Sequence, residues 1–234
     1  MSREPRGKRQ QYTVDVVALT PRHDQLAVLL ERRIERRIER RIEGRDKPVR
    51  WVLPWAASKS GEALADLSQR AIKRSTGAAP IWSIQVGAFS DGPHPGESEL
   101  SIVYVALVPM GQATVPSEEF EWFLLSDVPL LAERQNQMLQ ESVGAVRDRL
   151  DLYPVAFNLL PATFTLSELQ HMYELLLGRR LHKASFRRAL NAASLVEPTD
   201  EWRSEGRGRP AQLYRYGPKK RRRGRRGVRF DLLG

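Results

Sequence analysis

The chain has no cysteine. Disulfides and thiolate chemistry are therefore excluded, and the composition fits a reducing cytoplasm. Long hydrophobic runs are missing too. No apolar stretch approaches the ~18 residues that a membrane-crossing helix needs, so no membrane segment is expected. The first residues, MSREPRGKRQQ, lack the apolar core of a secretory signal. Acid is scarce at the C-terminal end. From Arg203 to Gly234, twelve Lys/Arg stand against two acids, a net +10. That equals the +10 of the whole chain, so the first 202 residues sum to zero. Charge confined to one end points to a polyanionic partner there, nucleic acid first. A merely solvated basic tail is the plainer alternative. What is present suffices for folding: 234 residues at 41% hydrophobic content can bury one large core or two modest ones.

YTVDVVAL (12–19) is rich in β-branched residues and reads as a buried strand; PRHD (21–24) is a turn, and QLAVLLERR a second strand completing a hairpin. Helical spacing returns in GEALADLSQRAIKRSTG (61–77), where Leu64, Leu67, Ala71 and Ile72 share a face and Gly77 suits the stop. IWSIQVGAF, LSIVYVALVP and EWFLL are further strands, and DVPLLAERQNQMLQESVGAVRDRLD reads as one long helix. Interleaved strands and helices predict a mixed α/β domain over residues 12–150, after a flexible basic stretch at 1–11.

A second unit spans 157–216. In TFTLSELQHMYELLLG, Thr165 and Glu168 form a capping-box pattern, and Gly178 closes the helix. HKASFRRALNAA follows at once. Its apolar face is Phe186, Ala189, Leu190 and Ala193; its opposite side carries Lys183, Arg187, Arg188 and Asn191. SLVEPT and QLYRY then read as two strands around WRSEGRGRPA. Helix, tight turn, basic helix and a Gly/Arg-tipped hairpin outline a winged helix-turn-helix. A recognition helix in a major groove needs outward Arg, Lys or Asn to meet base edges and phosphates. The candidates for groove contact are Lys183, Arg187, Arg188 and Asn191, with Ser185 toward phosphate and Arg207 and Arg209 on the wing. A helical hairpin with a solvated polar face is the bland alternative. The run KKRRRGRRGVR, within a basic tail at 217–234, adds sequence-independent, salt-sensitive phosphate attraction.

ERRIERRIERRIE (31–43) repeats a four-residue unit inside the first domain, within a predicted insertion at 31–45. Two readings stand. As a helix it would align Ile34, Ile38 and Ile42; otherwise it is an expanded, partly disordered loop.

WVLP followed by GEALADLSQRAIKRSTG resembles the box of Nudix hydrolases, G-x5-E-x7-R-E-U-x-E-E-x-G-U. Glu62, Arg70, Ile72 and Gly77 agree with it. Ala56 replaces its first glycine, and Ala71, Arg74 and Ser75 replace three glutamates. Over residues 12–216 the chain is similar to the Nudix-related transcriptional regulators of NAD metabolism, also through LSIVYVALVP, EWF, FTLSELQHMYELLLGRRLHKASFRRAL and GRGRPAQLYRY. The resemblance implies an α/β/α Nudix-like sandwich with a C-terminal winged helix-turn-helix. It also implies a homodimer that binds a double-stranded DNA operator, usually as a repressor. A nucleotide-sugar effector, typically ADP-ribose, would sit in the Nudix pocket and release the DNA. Some relatives answer to sugar metabolism instead.

Nudix chemistry sets water on a diphosphate with divalent cations. Positions 71, 74 and 75 share a helix face, where three carboxylates would hold magnesium. Ala71, Arg74 and Ser75 offer no anionic ligand. No catalytic residue, metal or cofactor is therefore expected, and no Nudix hydrolysis. Arg74, with Arg70, invites the reading that a guanidinium replaces the metal as partner of a diphosphate; the alternative is an ion-paired Arg70 and a solvated Arg74. Trp55 stands where the family has glycine, either to stack on a base or to fill the pocket. Asp91 is kept in the loop DGPHPGE, and His94 in that loop is expected to be exposed. The ligand candidates are thus Trp55, Arg70, Arg74 and Asp91. Two other functions are compatible with the sequence: an active Nudix-type hydrolase, and a nucleic-acid-binding protein without sequence preference.

Overall fold

The computed structural model describes residues 12–34, 49–58, 61–109, 111, 117–204 and 210–217. β1 (Tyr12–Arg22) turns at His23 and Asp24 into β2 (Gln25–Ile34). β3 (Val49–Val52), β4 (Trp55–Ala57), α1 (Leu64–Thr76), β5 (Trp82–Phe89), β6 (Leu100–Leu107), β7 (Phe120–Leu124) and α2 (Glu133–Arg147) complete the first unit. Its seven-stranded sheet runs β3-β2-β1-β6-β5, with β4 on β1 and β7 on β2. β1 and β6 are parallel, so the sheet is mixed.

β1 is buried on both faces, which is why it reads as a continuous apolar run. Val14, Val16 and Ala18 meet Leu67, Ala71 and Ile72 of α1 on one side. Val17 and Leu19 meet Met138, Leu139, Val143 and Val146 of α2 on the other. One helix on each face makes the α/β/α sandwich. α1 ends at Gly77, whose φ of 69° is left-handed, as the spacing predicted.

α2 starts later than the pattern suggested. Residues 127–132 are not helical, and Leu130 is 96% exposed. Pro129 disfavours helical backbone at Val128, and the helix begins only beyond that obstacle.

The second unit has α3 (Val155–Asn158), β8 (Thr163–Phe164), α4 (Leu166–Leu177), α5 (Lys183–Ala193), β9 (Val196–Arg203) and β10 (Ala211–Tyr216). Its three strands run β8-β10-β9. β9 is longer than SLVEPT: pairing continues to Arg203, opposite Ala211, so Trp202 and Arg203 belong to a strand and not to the wing tip. Phe157, Phe164, Tyr173, Phe186 and Leu190 join the same apolar cluster as Leu26, Val28 and Leu30 of β2. The two units therefore share a continuous core.

The first ERRI unit is the end of β2. Glu31 pairs with Val52 and Arg33 with Arg50, so residues 31–34 are strand, neither inserted loop nor helix. The rest of the repeat, from 35, lies outside the described residues, as do 1–11 and the tail from 218.

Candidate functional site

The capping box of α4 is complete: Glu168 N–H donates to Thr165 Oγ1 at 3.1 Å, and Thr165 N–H to Glu168 Oε2 at 2.7 Å. Gly178 ends the helix with φ 68°. The turn into α5 is pinned from inside α4. Leu181 N–H donates to Glu174 Oε1 at 2.9 Å, and Gln170 Nε2 donates to Leu181 O at 3.0 Å. Arg180 Nη1 reaches Glu174 Oε2 at 3.1 Å. Burial pushes the Glu174 carboxyl up, but hydrogen bonds from Gln170, Leu181 and Arg180, with the charge of Arg180, outweigh it. The carboxyl therefore sits below its ordinary range.

With that turn held, Phe186 and Leu190 are buried, Phe186 against Tyr173 at 5.7 Å between ring centres. Helical spacing then sends Lys183, Arg187, Arg188 and Asn191 outward, and all four are exposed. Ser185 is half-buried, its Oγ 3.4 Å from His182 Nδ1. α5 contains no acid, so nothing on it offsets these charges. At the wing, Arg203 pairs with Glu168 at 2.7 Å, tying β9 to the start of α4. Trp202 is exposed on β9. Arg207 and Arg209 lie outside the described residues.

In the first unit, the three positions of the missing glutamates diverge. Ala71 and Ser75 are buried, and the Ser75 hydroxyl donates to the carbonyls of Ala71 and Ile72 at 3.0 Å. Arg74 is exposed and pairs with Glu31 at 2.8 Å. Glu62 accepts both Nε–H and Nη2–H of Arg70 at 2.8 Å, a fork that raises the arginine pKa further. Among the described residues no three His, Cys, Asp or Glu gather to hold a metal ion. The donors at the box do not fit a hard divalent cation: one carboxylate is tied to a guanidinium, one hydroxyl is spent on helix carbonyls, and the third position is cationic.

The remaining ligand candidates separate. The Trp55 ring has Arg33 over it at 5.2 Å and His94 edge-on at 5.3 Å. A Cβ on Gly96 would lie 2.5 Å from the indole, so glycine is what lets the loop close on Trp55. Trp55 thus packs within the protein. Asp91 is exposed, and its backbone carbonyl accepts from Arg134 Nε at 2.8 Å.

His94 is not exposed, contrary to the expectation for a loop histidine. Its side chain is buried and lies 2.8 Å from Asp15 Oδ1. An acid inside the apolar strand YTVDVVAL needs a partner, and His94 supplies it. That lone acid was the signal available in the sequence. Arg134, buried at the start of α2, holds the same loop through the carbonyls of Ser90, Asp91 and Ser98.

A two-faced mixed sheet with a Nudix-type helix, followed by a winged helix whose outward face is cationic, defines a Nudix-like domain fused to a nucleic-acid-binding domain. Residues 156–216 match the family of the NrtR DNA-binding winged helix domain. The chain is NrtR-like: a Nudix-related domain joined to that winged helix. It is similar to the ADPR responsive transcriptional repressor NtrR of Acinetobacter baylyi, at 28% identity over 212 residues, 87% of this chain and 81% of the other. Shewanella oneidensis NrtR, solved in complex with a 27mer DNA, matches with a TM-score of 0.69 at 27% identity, covering 88% of this chain and 94% of that one. A MutT/nudix family protein from Enterococcus faecalis shares the fold, with a TM-score of 0.66 at 20% identity over 90% of this chain and 89% of that one.

Proposed function

We propose that the chain is a DNA-binding transcriptional regulator, a homodimeric repressor whose Nudix-like domain senses a small molecule and hydrolyses nothing. The outward face of α5 carries the reading. Lys183, Arg187, Arg188 and Asn191 are the groove-facing set, with Ser185 near phosphate and Arg207 and Arg209 on the wing. A two-fold dimer would read an imperfect palindrome. Such a regulator works beside the chromosome, in the cytoplasm.

The effector we favour is a nucleotide sugar such as ADP-ribose, which links the protein to NAD-related or sugar metabolism. The similarity to an ADPR-responsive repressor supports this. The candidate contacts are Arg70, Arg74, Trp55 and Asp91. The absence of hydrolysis follows from Ala71, Arg74 and Ser75, which give a divalent cation no anionic ligand.

Binding to genomic fragments at physiological salt tests the reading. A palindromic site should win over random duplex by ~10³-fold or more. Equal affinity for both would reject a regulator in favour of a nonspecific binder. Adding ADP-ribose to the complex tests the effector, and incubating it with magnesium or manganese tests the lack of turnover.

A further inference from the structure

A cleft of about 430 Å³ opens where the first unit meets the winged helix. Small-molecule sites span ~300–1,000 Å³ and favour such junctions. The floor is apolar: Leu26 of β2, Leu125 beyond β7 and Leu175 of α4, all packed in the cluster on the α2 side of the sheet. The cleft therefore lies across the sheet from α1, the helix that carries Arg70 and Arg74.

The rim is charged, and both units supply it. Asp24 in the turn after β1 and Arg147 at the end of α2 come from the first unit. His171 and Glu174 on one face of α4, with Arg179 and Arg180 just beyond it, come from the second. Three arginines outnumber two acids, so a monoanion is attracted, whereas a more highly charged anion is opposed more strongly by Asp24 and Glu174. Both acids are already engaged. His171 Nε2 is 3.4 Å from Asp24 Oδ1, and Glu174 accepts from Arg180 Nη1 at 3.1 Å and from Leu181 N–H at 2.9 Å. Arg147 differs. Its Nε donates to Leu176 O at 3.4 Å, but its guanidinium has no acid partner among the described residues. It lies close against Gly178, where a Cβ would come within 2.6 Å of Nη2. A guanidinium held in place with its fork open matches the two oxygens of a carboxylate.

We propose that this cleft binds a small organic acid, its carboxylate on Arg147 and its apolar body on Leu26, Leu125 and Leu175. The site is separate from the effector pocket of the Nudix-like domain and does not rest on that reading. Its occupant bridges the two units. It also borders Glu174, the side chain that holds the turn into α5, so binding there acts one residue away from the clamp that sets this helix.

A proton NMR titration of the full chain with sodium benzoate tests this, against sodium chloride at matched pH and ionic strength. The chain has four histidines. The His171 ring signal is identified by its loss in His171→Gln, and buried His94 is the internal reference. The expected result is a saturable shift of His171 that His94 does not share. Arg147→Gln should weaken the apparent affinity by roughly tenfold. Should Arg147→Gln not fold, Gly178→Ala takes its place, because the added Cβ displaces Arg147 Nη2, and the same direction of change is expected. A His171 signal that stays still, or drifts without saturating, overturns the proposal. So does an affinity unchanged by the variant, the mark of benzoate held elsewhere, such as on the basic tail.

Discussion

His94 Nε2 lies 2.8 Å from Asp15 Oδ1, with neither side chain exposed. Gly96 N–H donates to His94 Nδ1 at 3.0 Å, which leaves Nε2 to carry the proton toward Asp15. Thr13 Oγ1 donates to the other carboxylate oxygen at 2.8 Å. A loop residue thus anchors the 90–98 segment to the first strand. His94→Ala should destabilise the protein by about 3–5 kcal/mol, because it strands a buried carboxylate. Denaturant unfolding measures it, and a loss under ~1 kcal/mol would show that water replaces the imidazole at little cost.

The residues proposed to face the groove make separable predictions. Arg187→Ala or Arg188→Ala should cost about 1–3 kcal/mol at the operator if the side chain reads a base, and relax preference at one position. Lys183→Ala should weaken all duplexes alike and shallow the salt dependence by about one unit of slope. Titrations of operator and random DNA at several salt concentrations distinguish the two.

Glu174 should make stability fall in acid. Its folded-state pKa is lowered, so the unfolded chain takes up the proton first as pH drops. The stabilisation is complete above the unfolded carboxyl pKa of ~4.3 and is lost as pH falls through the folded value. Glu174→Gln should flatten that part of the stability–pH curve while leaving the neutral-pH turn weakened. An unaltered acid limb would mean that the turn does not hold the carboxyl.

Gly178 sits at φ 68°, and a Cβ there would come within 2.6 Å of Arg147 Nη2. Arg147 Nε donates to Leu176 O at 3.4 Å, so the end of α2 rests against the end of α4. Gly178→Ala should lower stability by about 1–2 kcal/mol from backbone strain alone. The shift should appear in the urea midpoint with the slope unchanged.

Much of the architecture is legible in local pattern. Leu67, Ala71 and Ile72 announce α1, Thr165 and Glu168 cap α4, and Phe186 and Leu190 orient α5, because each effect acts within a turn or two of helix. Pattern failed where the deciding contact was distant or special. The start of α2 moved because of one proline. β9 ran on to Arg203 because β10 continues to pair with it.

Sequence alone settled one set of donors: no side chain at 71, 74 or 75 can become an anionic ligand, however the chain folds. It also settled where positive charge gathers, since composition does not depend on conformation. Only the tertiary arrangement decided what the surviving charges touch. Glu31 meets Arg74 across 43 residues, and His94 meets Asp15 across 79. Those meetings are set by strand order and by the helix laid over the sheet, through the burial of apolar faces that carry no record of which ions will come together.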